Sequence, residues 1–333
     1  MKNTKVKALA DGAVCTAVTV LLLVIAVYVP PLALFSIAVA GTPLIFLGVR
    51  HGLGTSGTAC AASILVLFVL TGDPVSALLM GIVDLLPGLV IGYAISKRAS
   101  FQITVFAAAG AVMFGLMLQL ILLNASGGGD GIEKLVDGTL ENTKQILNSV
   151  MGTLASAGTQ GKDLTAVLNT VIDQMREMIF LYLPSFVVGA SVVLGYAVCM
   201  MGIYVLRRLR ICHVLYTPFN RLHASRSMCY VTMIMFLVAS FSKDSTIYTA
   251  ALKNMVGLLY AFIGVCGFSL IDYKFSEKLP SGYARAAIYA AAILAGYVMM
   301  GLITQVLILL GLVDGMFNFR RLSKAGEDHV KHE

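Results

Sequence analysis

One acid stands in a setting where acids are rare. Asp84 lies near the middle of the apolar run 74–96, where placing a charged side chain costs about 2.5–3.5 kcal/mol on insertion scales. Ala77, Gly81, Asp84, Gly88 and Gly92 follow one another at steps of four, three, four and four, so a helix carries all of them on one face. Small residues on a face let a neighbouring backbone approach, which turns Asp84 toward a bundle interior rather than toward lipid. Pro87, about one turn later, frees a backbone carbonyl near the acid. Two chemistries fit: a protonated or hydrogen-bonded structural aspartate, or a ligand or proton site near the bilayer midplane.

Other residues add polar groups to apolar helices. The run 32–49 is interrupted at Gly41 and Pro43, and unwound backbone of that kind offers free N–H and C=O groups to a ligand. Gln119 ends the stripe Ala107, Ala111, Gly115, and Asn254 begins the stripe Asn254, Gly257, Ala261, Gly264. Both stripes read as helix-contact seams, with Gln119 and Asn254 able to reach a shared cavity. Lys253 and Asp272 lie near enough to the ends of their run to snorkel. The histidines show no ligand spacing and the six cysteines no C-x-x-C, so neither a metal nor a disulfide is expected. The single G-x-G-D match, Gly127 to Asp130, falls in a polar stretch, whereas an aspartyl intramembrane protease needs that acid inside the bundle. No Walker A sequence and no Ser–His pair in an apolar run are present. No catalytic residue, cofactor or enzymatic activity is expected.

The elements that position these residues follow from composition. Hydrophobic residues form 58% of the 333, and charged residues only 12%, which excludes an ordinary soluble domain. The net charge of +7 belongs at membrane faces, and no nucleic-acid-binding motif argues otherwise. Apolar runs at 9–30, 32–49, 54–71, 74–96, 100–124, 178–206, 228–243, 247–272 and 284–313 predict an all-α integral membrane protein with about eight or nine transmembrane helices. The start, Met1 to Lys7 and the run behind it, reads as a first span rather than a cleaved signal.

Charge sets the expected orientation. Placing Lys2, Lys5 and Lys7 in the cytoplasm puts Arg50, Lys97 and Arg98 there too, together with the loop from Arg207 to Arg226, which has five arginines and no acid. Segment 125–177, with seven acids and four bases, then lies outside. Its apolar residues recur at helical spacing in two stretches, Ile132 to Leu154 and Leu164 to Met175, which predicts two amphipathic helices. They form either a hairpin over the bundle or a lid. Nine full crossings would leave Arg320, Arg321 and Lys324 outside, against the same rule, so either one short run does not cross or 284–319 forms a hairpin kinked near Gly301. A cytoplasmic tail is the expectation. Anionic lipids are the expected partners of the basic loop.

The first hundred residues also carry short motifs. Ala13-Val-Cys-Thr-Ala17, Tyr28-Val-Pro30 and Pro43-Leu-Ile-Phe-Leu-Gly-Val-Arg50-His51-Gly52-Leu53, with the terminal Gly311-Leu-Val-Asp314-Gly-Met-Phe-Asn-Phe319-Arg320, resemble the YybS-like membrane family, a family of unknown function. Asn318 stands where that resemblance leads one to expect an acid. The family looks related to the S-components of energy-coupling-factor (ECF) vitamin transporters, which implies a six-helix core at 1–124 and 178–209. It further implies an extracytoplasmic insertion at 125–177, a basic cytoplasmic loop at 210–227 and added C-terminal helices and tail at 228–333. Ala13 and Ala17 match the A-x-x-x-A face by which S-components dock on a transmembrane coupling subunit and, through it, ATPases. The expectation is a multi-pass protein of the bacterial cytoplasmic membrane with its N-terminus inside. It would bind or move a small, vitamin-like solute without its own ATPase, or act as a non-transporting scaffold that recruits partners through the basic loop and outer hairpin. A cavity reached by Asp84 would separate these readings.

Overall fold

The computed structural model describes residues 2–29, 36, 38–126, 128–155, 162–211, 219–242, 247–278 and 300–320. Among them there is no strand, and ten helices follow in order: α1 Lys2–Tyr28, α2 Thr42–His51, α3 Leu53–Thr71, α4 Pro74–Ser96, α5 Phe101–Ser126, α6 Gly131–Ala155, α7 Lys162–Arg208, α8 Arg226–Phe241, α9 Ile247–Lys278 and α10 Met300–Phe317. The all-α membrane fold is therefore as expected. Six helices (α1, α3, α4, α5, α7 and α9) are long and apolar enough to cross a membrane, while α8 and α10 are shorter apolar helices. Each of the long ones leaves much of its apolar surface uncovered by protein, as a helix facing lipid does.

Two runs differ from the expected pattern. The run 32–49 is not one helix, because the backbone turns at Ala40 and Gly41 before α2 begins. α2 has ten residues, about 15 Å at helical rise, half of the roughly 30 Å hydrocarbon core. Of the run 284–313, only the part from Met300 onward lies among the described residues. The two amphipathic stretches are helical, and the second is continuous with the following span in the 47 residues of α7.

The chain divides into two compact units, the first comprising 1–183 and 190–215 and the second 184–189 and 216–333. In the first, Leu23, Leu44, Leu47, Leu67 and Leu85 form the centre of the core. Its helices meet backbone to backbone. A Cβ on Gly48 would lie 3.0 Å from Gly92 Cα, so α2 meets α4 closely, and one on Gly195 would lie 2.7 Å from Ala109 Cα, so α5 meets α7 at a distance only glycine allows. In the second unit α9 and α10 run in the same direction: Gly264 faces Ile308, Gly267 faces Gly311, and Arg320 beyond α10 reaches Ser269. α8 runs the opposite way, with Cys229 near Gly315 at its start and Phe236 against Tyr260 further on. Five of the cysteines are buried and unbonded, in keeping with packing roles. Cys212 lies outside the described residues.

Candidate functional site

Asp84 is buried, 4% exposed, on the face the spacing indicates, and Ala77, Gly81, Gly88 and Gly92 are buried with it. Around it the helix widens into a π turn, Gly81–Leu85, which takes an extra residue per hydrogen bond and is often found at functional sites. Pro87 follows after Leu86 and withholds the N–H that a regular helix needs. Ser36 Oγ donates to Asp84 Oδ2 at 3.3 Å. The broken end of the preceding segment faces the π turn, since a Cβ on Gly41 would lie 3.1 Å from the Asp84 carbonyl oxygen and 3.2 Å from Gly88 Cα. Thr42 Oγ1, next to Gly41, is buried and has no hydrogen-bond partner among the described residues. No basic side chain pairs with Asp84 among those residues. An unpaired carboxylate at this depth is costly unless it is neutralised, so the group suits a proton, a cation or the polar end of a solute.

The Arg50-His51-Gly52 turn forms a second polar cluster. His51 Nε2 lies 2.8 Å and Arg50 Nη1 3.2 Å from Asp11 Oδ2 on α1, and the Arg50 guanidinium stacks 5.5 Å above the Phe46 ring. Gly52 has φ +86° with open space around it, a backbone that only glycine takes without strain. Sequence reasoning singled out the turn but not its partner. Asp11, the sole acid of the run 9–30, was the available signal.

The C-terminal motif closes on itself and on the basic loop. Asn318 has φ +50°, a left-handed turn that asparagine tolerates better than most residues, and its N–H donates to the Asp314 carbonyl at 2.7 Å. That turn sends Arg320 back into the second unit. Its Nε and Nη2 reach Asp314 Oδ2, Nη1 donates to the Asn220 carbonyl at 2.7 Å and to Ser269 Oγ at 2.8 Å, and Nη2 to the Leu222 carbonyl at 2.9 Å. Ser269 Oγ in turn donates to the Phe219 carbonyl at 2.6 Å. The motif residues Asp314 and Arg320 are thus a clamp on 219–222, whereas Phe319 is exposed. What position 318 supplies here is the left-handed backbone of the turn.

The remaining candidates stay apart from Asp84 or are engaged elsewhere. Gln119 is exposed on α5 and does not enter the Asp84 site. Asn254 belongs to the second unit, where Oδ1 accepts from Ser185 N–H at 3.1 Å and Nδ2 donates to the Ala250 carbonyl at 2.9 Å. It braces the backbone beside Pro184, which breaks the hydrogen-bond ladder of α7. Ala13 and Ala17 are exposed on one side of α1. No group of three or more metal-ligating side chains occurs among the described residues. In comparison with known families, residues 17–315 match the model of a family described as "Predicted membrane protein (DUF2232)". No curated protein and no solved structure matches the chain.

Proposed function

The chain belongs to this family of membrane proteins, and we propose that it binds a small solute within the bilayer and moves it without an ATPase of its own. One observation carries this: a buried acid on a π turn, faced by the broken end of a second helix with an unpartnered hydroxyl beside it. Broken helices at membrane depth are tolerated where they line a protein-enclosed site. On this reading the first unit works as an S-component-like core. The exposed pair Ala13 and Ala17 offers a small-residue face for a transmembrane coupling subunit. The basic loop faces the cytoplasm, by the positive-inside rule, and the membrane is the bacterial cytoplasmic membrane.

The test is purification in mild detergent, followed by mass spectrometry of co-purified proteins and small molecules, for wild type and Asp84→Asn. A small molecule retained by wild type and lost from Asp84→Asn, at equal yield, is the expected result. Retention of partner proteins with no small molecule in either preparation would overturn it in favour of a scaffold. That second reading draws on one observation, the exposure of Arg207, Arg208, Arg210, Arg221 and Arg226 in the loop region.

A further inference from the structure

The clamp formed by Arg320 has a consequence for the surface beside it. It fixes the carbonyls of Asn220 and Leu222, and so the position of Arg221 between them. Arg226 begins α8 five residues after Arg221, and Lys274 follows Tyr273, over whose ring the Arg320 guanidinium sits at 6.0 Å. Arg221, Arg226 and Lys274 are all exposed, whereas Asp272 and Asp314 are buried. None of the three bases is paired with an acid among the described residues. Among the side chains described at this end of the second unit, the exposed charge is therefore basic.

The same end carries exposed aromatic surface. Phe317 and Phe319 flank the left-handed turn at Asn318, both exposed, with ring centroids 6.1 Å apart. From Arg226 the exposed apolar face of α8 runs on without a charge through Tyr230, Met233, Ile234, Leu237 and Phe241. An apolar stripe that ends in bases and aromatic rings has the order of a bilayer read from its acyl core to its phosphate layer.

We infer that this end of the second unit is a docking surface for anionic phospholipid, with Arg221, Arg226 and Lys274 on the phosphate layer and the Phe317–Phe319 pair at the acyl boundary. The occupant is a lipid rather than an acidic protein because the bases continue directly into the apolar face of α8, which a membrane protein presents to lipid. The inference is independent of the solute reading, which rests on the first unit. Asp314 neutralises Arg320 locally, so Arg320 orders the surface and the three exposed bases supply its charge.

Native mass spectrometry of the full chain in detergent, titrated with phosphatidylglycerol or phosphatidylcholine, tests it. Wild type should retain phosphatidylglycerol preferentially. Each neutralised base should weaken that preference about fivefold, the equivalent of about 1 kcal/mol, so the Arg221→Gln/Arg226→Gln/Lys274→Gln variant should lose it. Lys253→Gln, near the other end of α9, should keep it. Phe317→Ala/Phe319→Ala should weaken retention of both lipids. Equal retention of the two lipids by wild type would overturn the inference, as would an unchanged preference in the triple variant. A loss in Lys253→Gln as large as that from one surface base would also overturn it, since net charge would then explain the effect. Matching thermal unfolding midpoints show that the variants are folded.

Discussion

Arg320 holds Asp314 by one oxygen from two sides: Nε and Nη2 lie 2.9 and 2.6 Å from Asp314 Oδ2, while the rest of the guanidinium reaches backbone carbonyls 98 and 100 residues earlier in the chain. Both side chains are almost wholly buried, 1% and 2% exposed. Removing one partner of a buried pair leaves the other uncompensated and costs about 3–5 kcal/mol. Arg320→Ala should therefore destabilise the protein by that order. Arg320→Lys should recover only part, since an ammonium cannot fill the same fork of acceptors. Thermal unfolding in one detergent ranks the three forms, and equal midpoints for wild type and Arg320→Ala would contradict the clamp.

The clamp also decides which ends of the chain lie together. Arg320 touches the loop residues Asn220 and Leu222, and α9 and α10 point the same way, so the end of α10 lies on the same side as 219–225. Arg320 itself therefore lies beside 219–222, whereas a count of nine crossings set it apart from the basic loop. Ser225→Cys should resist an impermeant thiol reagent added to intact cells, and so should a cysteine tag fused to the C-terminus. Opposite labelling of the two sites would contradict the contact geometry. Labelling of both from outside would reverse the proposed orientation while leaving the geometry intact.

The two amphipathic segments are joined by charge. Arg176 on α7 donates through Nε to Asp137 Oδ1 at 2.6 Å and through Nη2 to Glu133 on α6. The Arg176 hydrogen bond holds the Asp137 carboxyl below its ordinary value of 3.8. A group whose value is lowered by folding stabilises the folded form above its unfolded value, and loses that contribution as pH falls through the folded one. Docking of α6 on α7 should thus be constant at neutral pH and loosen only below about pH 4. Hydrogen exchange across 131–155 measures this. Arg176→Gln should loosen the pair at neutral pH and remove the acid-dependent step. An acid step of unchanged size in Arg176→Gln would show that other groups cause it.

What could be read from the sequence follows the range of each signal. The face that carries Asp84 was legible because helical period alone decides which side chains share it. The π turn was not, because it depends on Pro87 withholding an N–H and on Gly41 pressing on Gly88, a contact between residues 47 apart. The break at Gly41 and Pro43 was legible as a break, but that it reduces the second run to a ten-residue helix was not. The partners of Arg320 are mostly carbonyls, which carry no side-chain signature. The match of His51 to Asp11 joins α2 to α1 across chain that shows no periodic link. The exposure of Gln119 was not legible either: Ala111 and Gly115 before it are buried, and the period alone does not show that the packing stops short of position 119.

The reading of Asp84 is tested most directly by keeping its shape and removing its charge. Asn is nearly isosteric and still accepts from Ser36 Oγ through Oδ1, so Asp84→Asn should leave the π turn and the contact of Gly41 with Gly88 in place. Membrane abundance and thermal midpoint should stay near wild type, while binding of a proton, cation or cationic solute end should fall. Leu offers no acceptor and removes the hydrogen bond that Ser36 Oγ donates to position 84, worth about 0.5–1.5 kcal/mol. It also brings branched bulk to a face where Gly41 and Gly88 already touch, and overpacking of this kind costs about 1–3 kcal/mol. Asp84→Leu should therefore lose stability and function together. The decisive comparison is Asp84→Asn at normal abundance: full wild-type uptake or growth would make Asp84 a packing residue, and the solute site would have to lie elsewhere.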